Sequence, residues 1–394
     1  MFARRAANQS PALRGTGSLT ESSVRAVAVL TAIAGARAWC ARYGRVVLRV
    51  LASPSSGGQD GNPYIDLLYD ALRVRGVQVE EFDRKSLLTR PDVIHVHWPD
   101  FLVRWGAPPV AVLDVVKVLS LLAWARVRGA RLVWTGHDLR PHDSVRPRLY
   151  SLYHRVFIRL VDVVISLGDS ATGELLRTYP RLRKVPTVVV EHGHYRSVVE
   201  PLPDRARARA AVGLPEAGRT ALLLGQVRPY KNVPQLVRAS VERETLGLGL
   251  AVVGEVRGDD GLTQDVEQAA RGGEVVLALR RVPAGDVGLW HAACDVVVLP
   301  YALRSALHSG AAVMALSCSR PAVVAASDTM RELQHLVGEE WLQLCDGPPA
   351  RFLEQAAAFV DVPRSAGPDL SALDWGPLAD RTLAAYELAL ARRR

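Results

Sequence analysis

The sequence predicts an α/β protein made of two parallel-sheet halves in tandem. Three observations lead there. Short β-branched runs alternate with segments of helical spacing from Arg45 onward, which implies parallel sheets covered on both faces. The alternation breaks once, at 200–218, and then resumes. The chain is long enough for two cores: its 394 residues are 49% hydrophobic and 23% charged, which also excludes a largely disordered chain.

In the first half, strands are expected at Val46–Leu51, Val77–Phe82, Val93–Val96, Leu132–Thr135, Val163–Leu167 and Thr187–Val190. Helical spacing covers Pro63–Arg75, Pro109–Arg128, Pro147–Val161 and Ser170–Tyr179, and Asn62-Pro63 makes a helix start, a cap followed by proline at the first helical position. Residues 45–199 thus form the first Rossmann-like domain. The stretch 200–218, with its prolines and the Arg/Ala run 205–211, is expected to be a linker with a short helix. The second domain, 219–374, has strands at Ala221–Leu224, Leu250–Val253, Val275–Leu279, Val296–Leu299 and Ala322–Ala325, with helices near 233–244, 262–271, 285–293, 310–318 and 329–336. A last helix and basic tail occupy 375–394. Ligand is expected at the carboxyl ends of the strands and between the halves.

The charge is placed unevenly. The net +9 divides into seven arginines against Glu21 in the first 45 residues, Arg392, Arg393 and Arg394 at the end, and 39 basic with 39 acidic residues between. A nucleic-acid binder carries its excess on the folded body, so that class is disfavoured. Residues 1–44 are expected to be a basic, disordered leader: the uncharged run Ala26–Ala36 is preceded by Pro11, Gly15 and Gly17, unlike a signal peptide. No apolar run reaches the ~18 residues of a membrane span. Four scattered cysteines (40, 294, 318, 345) suggest free thiols in a reducing compartment.

The strongest chemical signal is Gly225-Gln226-Val227-Arg228-Pro229-Tyr230-Lys231-Asn232, which follows a strand and opens a helix. Arg228 and Lys231 set two cations beside a helix N-terminus, where phosphate is favoured. Only four lysines stand against 45 arginines, so a lysine here suggests a compact point charge. The plainer reading is a turn with solvated cations. The second signal is Pro300-Tyr301 through Ser309-Gly310-Ala311-Ala312, where small residues open a helix and let a diphosphate reach backbone N–H groups. Close helix–sheet packing is the plainer alternative.

These residues resemble the donor half of glycosyltransferases with the two-domain GT-B fold, and the resemblance covers about 45–392. It is nearer to bacterial exopolysaccharide glycosyltransferases, including the β-1,4-mannosyltransferase type acting on polyprenyl-diphosphate-linked oligosaccharides. His97-Trp98-Pro99-Asp100, Thr135–Asp143, Arg228-Pro229-Tyr230-Lys231 and Ser309–Leu316 carry the likeness. It implies that Arg228, Lys231, Ser309, Gly310 and Ala311 bind the donor diphosphate, that the final helix returns to the first domain, and that the enzyme works without a metal or other cofactor. One departure stands out. The large retaining families of this fold carry two glutamates where this chain has Ala306 and Met314.

The first domain is expected to supply the base. His95 and His97, two residues apart on a strand, face one way. They lack a matching acid or thiol cluster, so no metal site is expected. Asp100, after a rigid Trp-Pro, is the first candidate base, with Asp143 and Asp138 as alternates; helix capping is the ordinary role for each. His137 is expected to contact donor phosphate or sugar, and Arg140, His192 and Tyr301 to face the cleft. The expected activity is transfer of a hexose from GDP-mannose or a UDP-sugar to a glycan or lipid-linked acceptor, in the cytoplasm, in polysaccharide synthesis. A nucleotide-sugar epimerase and a non-catalytic nucleotide-sugar binder are the rivals. The basic ends are expected to touch an anionic membrane surface at about 1 kcal/mol per residue.

Overall fold

A computed structural model describes residues 47–57, 63–83, 85, 89–140, 146–258, 260–301 and 307–392. The expected leader 1–44, Asp143, Ala306 and the last two arginines lie outside these residues. In the first half, six strands, β1 (Arg49–Ser53), β2 (Gln78–Glu81), β3 (Val93–Val96), β4 (Arg131–Gly136), β5 (Val163–Ser166) and β6 (Thr187–Val189), form one sheet in the order β2-β1-β3-β4-β5-β6. In the second half, β7 (Arg219–Leu224), β8 (Leu248–Val253), β9 (Val275–Ala278), β10 (Val296–Leu299), β11 (Ala322–Ala325) and β12 (Leu342–Cys345) follow the order β12-β11-β10-β7-β8-β9. Every strand pair is parallel. The strand order therefore reverses between β1 and β3 in one sheet and between β7 and β10 in the other, and α/β ligand sites open at such points.

One device recurs at the amino ends of the strands. Asp92, Asp162 and Asp295 directly precede β3, β5 and β10. Their carboxylates accept from the backbone N–H of Arg49 (3.1 Å), Leu132 (2.8 Å) and Thr220 (2.8 Å) on the neighbouring strand. Each carboxylate satisfies an N–H at a buried edge and pins the register. This explains why β1 runs over Arg49–Ser53 rather than the expected Val46–Leu51: Val50 pairs with Val93 beside the Asp92 anchor. β12 and the helix Pro349–Val360 were not anticipated. β12 has four residues and none is β-branched, so local propensity is silent, and pairing with β11 makes it a strand.

The stretch expected as a linker contains the helix Arg205–Val212, capped by Asp204 and ended by Gly213 at φ 76. It packs on the helix Ala284–Ala293. Arg209 is buried and donates to the carbonyls of Ala293 and Ala217 at 3.0 Å each, while Arg205 pairs with Asp295 at 3.0 Å. The Arg/Ala run is thus fastened to the second half. The last helix, Trp375–Ala391, crosses back to the first half as expected and packs on the helix Pro63–Arg73 and on β4–β6. Trp375 Nε1 donates to the His194 carbonyl (2.7 Å), and Arg75 donates to the Gly376 carbonyl (2.6 Å) and pairs with Asp380. Among the described residues no helix is long and apolar enough to cross a membrane.

Candidate active site

The strand-order switch of the second sheet positions the 225–232 loop. At the end of β7, Gly225 has φ +133, and at the end of β8, Gly254 has φ +143, a conformation that favours glycine. A Cβ on Gly254 would stand 2.2 Å from the Gly225 carbonyl oxygen, and one on Gly225 would stand 3.5 Å from Lys231 Nζ. The two bare backbones let the chain turn tightly enough to bring Lys231 inward. Lys231 is 8% exposed, and its ammonium sits 4.9 Å over the centre of the Tyr301 ring, at the end of β10. Burial, with Arg228 adding to it, pushes the Lys231 ammonium down from its ordinary value to about 8. Among the described residues no carboxylate pairs with it. A cation placed this way meets a strong field only when an anion arrives.

The small-residue helix begins as expected. Ser309 caps Gly310–Ser317 by accepting from the Ala312 N–H (3.2 Å). A Cβ on Gly310 would lie 3.4 Å from the Tyr195 hydroxyl and 3.8 Å from His192 Nε2, so this helix start abuts the first half. Met314 lies on that helix, confirming that no glutamate stands at that place.

Opposite it, the first half contributes a cluster of imidazoles. His97 Nδ1 meets His137 Nε2 at 2.9 Å, and Tyr69 Oη meets His97 Nε2 at 2.8 Å and His95 Nδ1 at 3.1 Å. His95 also meets the Tyr386 hydroxyl (2.8 Å) and Thr135 Oγ1 (2.7 Å). His95 and His97 do face one way, and hydroxyls and imidazoles occupy their nitrogens. Among the described residues no group of three or more His, Cys, Asp or Glu side chains is arranged to hold a metal ion. The Trp98 ring stacks on His137 at 4.5 Å. Burial holds His97, His137 and His192 well below the ordinary imidazole value, with neighbouring histidines adding to the effect, so all three are neutral near pH 7. His308, which sequence reasoning missed, packs 4.1 Å from the His192 ring and is pushed down to about 4 by burial. His137 Nδ1 and both ring nitrogens of His308 are buried and have no hydrogen-bond partner among the described residues. Buried polar atoms without partners mark where a ligand's groups would be satisfied.

Two openings flank this cluster. A cavity of about 370 Å³ between the halves is lined by Gly168, His192, His308, Ser309 and Glu332. Glu332 crosses it, accepting from the N–H (2.7 Å) and hydroxyl (2.6 Å) of Ser170. The Leu307 N–H donates to the His137 carbonyl across the same junction (2.9 Å). The second opening is a groove of about 500 Å³ in the first half, lined by His97, Trp98, Asp100, Trp105, Asp138 and Tyr150, with Arg228 reaching in from the second half. Arg140 lines it too. Asp138 accepts from Trp98 Nε1 (3.2 Å), and Asp100 sits half-buried on a short turn, its carbonyl held by Trp105 Nε1 (2.8 Å). The structure therefore brings His97, Asp100, Asp138, Arg140 and Arg228 to one groove. It places His192 and Ser309 on the other opening and buries Lys231 and Tyr301 at the strand switch.

Comparisons with known proteins agree with this architecture. The GDP-mannose:glycolipid 4-beta-D-mannosyltransferase of Xanthomonas campestris pv. campestris is 29% identical over 357 residues, covering 88% of this chain and 93% of that one. The D-inositol 3-phosphate glycosyltransferase 1 of Catenulispora acidiphila is 29% identical over 401 residues, covering 88% and 94%. Among solved structures, Anabaena Alr3699/HepE in complex with UDP and glucose superposes with a TM-score of 0.58 at 17% identity, covering 88% of this chain and 97% of that one. The sucrose-phosphate synthase of Thermosynechococcus elongatus gives 0.57 at 17% identity, with the same coverage. The chain is a glycosyltransferase of the GT-B fold. No protein-family model matches it. The glycosyltransferase's second half carries the buried Lys231, and its first half carries the aromatic, acidic groove into which Arg228 reaches.

Proposed function

We propose that this glycosyltransferase moves a hexose from a nucleoside-diphosphate sugar, GDP-mannose before UDP-sugars, to a glycan or lipid-linked acceptor in bacterial polysaccharide synthesis. The observation that supports this most is the buried Lys231 at the strand switch, with Arg228 spanning from that loop to the groove of the first half. In this reading Lys231, Arg228 and the N–H groups of Ser309, Gly310 and Ala311 take up the charge that grows on the departing diphosphate as the glycosidic bond breaks. A lysine buried this deeply supplies charge that magnesium supplies elsewhere, so transfer needs no metal.

Asp100 removes the acceptor hydroxyl proton as the new bond forms, the role its half-buried place on the groove wall allows. His137 is neutral and offers Nδ1 to the donor sugar; the chain of contacts through His97 to Tyr69 sets which tautomer it holds. The relative's printed name, a GDP-mannose:glycolipid transferase, supports both donor and acceptor class. A melting-temperature panel of GDP-mannose, UDP-glucose and ADP-glucose tests the donor, with a rise expected from GDP-mannose. Transfer of labelled mannose to extracted glycolipid should persist in EDTA. No response to any sugar nucleotide would overturn the reading.

A further inference from the structure

The first half's helix Asp169–Thr178 starts without a cap of its own. Its N-cap residue is Gly168, which has no side chain to accept from the free N–H groups of the first turn. The missing acceptor comes from the second half. Glu332, on the helix Asp328–Val337, accepts through Oε1 from the Ser170 N–H at 2.7 Å and from the Ser170 hydroxyl at 2.6 Å. Ser170 is the second helical residue, whose N–H an N-cap side chain ordinarily serves. A carboxylate there also suits the positive end of the helix dipole. The glycine makes room for it, since a Cβ on Gly168 would stand 2.5 Å from Glu332 Oε2. The helix start itself is held in place. The Gly168 carbonyl accepts from the Thr172 N–H (3.0 Å), the Thr172 hydroxyl (2.9 Å) and the Ser166 hydroxyl (3.0 Å).

We propose that Glu332 is a positioning residue: by capping the first half's helix from the second half, it holds the two halves joined over the imidazole cluster, a role that rests on transfer taking place between them. Glu332 lines one cavity with Gly168, His192, His308 and Ser309, so this contact stands in the wall of the space between the halves. When the halves part, the Ser170 N–H and hydroxyl lose their shared acceptor to water. When they join, two charge-assisted bonds form at once on a helix start already fixed by its own carbonyl contacts. Those bonds weight the equilibrium towards the joined form. Only the joined form brings Arg228 of the second half to the groove that holds Asp100. Glu332 itself need touch no reacting atom; it acts through the placement of the groups that do.

Gly168→Ala tests this from the first half. The φ of 172 is extended backbone that alanine adopts, and the new Cβ meets the end of a flexible side chain. The fold therefore holds while the carboxylate is pushed off Ser170. Glu332→Ala removes the same contact from the second half, and Glu332→Gln keeps an acceptor oxygen without the charge. In the full chain without substrate, hydrogen exchange across residues 169–172 should quicken about tenfold in Gly168→Ala and Glu332→Ala, the worth of a hydrogen bond to a charged group. Transfer of labelled mannose from GDP-mannose to extracted glycolipid should lose about tenfold in kcat/KM in the same two variants, and Glu332→Gln should recover part of that loss. The double variant Gly168→Ala/Glu332→Ala should lose no more than either alone, because both remove one contact. Unchanged exchange in both alanine variants, a normal kcat/KM in both, or losses that multiply in the double variant overturn the proposal. The two readings fail separately: a wild type that transfers from no sugar nucleotide sinks the donor reading, while faster exchange in the variants still supports the contact that joins the halves.

Discussion

Replacing Lys231 by methionine should stabilise the unliganded enzyme while removing its response to donor. Burial holds the Lys231 ammonium at about 8 in the folded chain against 10.5 for the free side chain. At 1.36 kcal/mol per unit, a protonated Lys231 costs the folded state on the order of 3 kcal/mol. The unfolded chain holds this proton up to higher pH than the folded one, so stability rises as pH climbs from about 8 to about 10.5. Below 8 the full penalty is present, and above 10.5 it is gone. Lys231→Met is close in volume and removes the penalty. It should therefore melt above the wild type at pH 7, and the gap should close by pH 10.5. Donor is expected to raise the wild-type melting temperature at pH 7, with affinity falling as pH rises past 8 because the free enzyme loses the proton that pairs with the diphosphate. In the variant that rise should vanish, since an unpaired buried anion costs about 3–5 kcal/mol, or a hundredfold and more in affinity. A variant that melts below the wild type at pH 7, or that responds to donor as the wild type does, would refute the placement of a strained cation at a diphosphate site.

Two further outcomes follow from the same geometry. Asp100→Asn should lower kcat by about 10²–10⁴ and leave the donor-induced melting shift intact; a normal rate assigns the base elsewhere, with Asp138 next to test. Gly254→Ala drives a Cβ to within 2.2 Å of the Gly225 carbonyl oxygen, so the loop after β7 must move, and both stability and donor binding should fall; an unchanged melting temperature would show that the two turns are not packed as described.

The groove of the first half was only partly legible in the sequence. Asp100, His97 and Asp138 were legible because each follows a strand end, where α/β sites gather. Their grouping with Trp105, Tyr150 and Arg228 was not legible, because it depends on β3 and β4 being neighbours and on how the halves meet. His308 carried no local signal: it precedes a helix cap, and only the packing of that cap against His192 makes it part of the cluster. The net charge misled in a similar way. The central 346 residues are neutral in sum, yet the fold collects four arginines about one groove.

From the sequence alone came the alternation of strands and helices, the two halves, and the paired cations of the 225–232 loop. Each of these is written in short-range order: apolar runs that need cover on both faces, glycines where the backbone must turn, and charges beside a helix start. Tertiary structure decided which strand ends became neighbours, and so which distant side chains share a groove. It also decided charge states, since a lysine or histidine shifts its proton affinity only when the surrounding chain removes water from it.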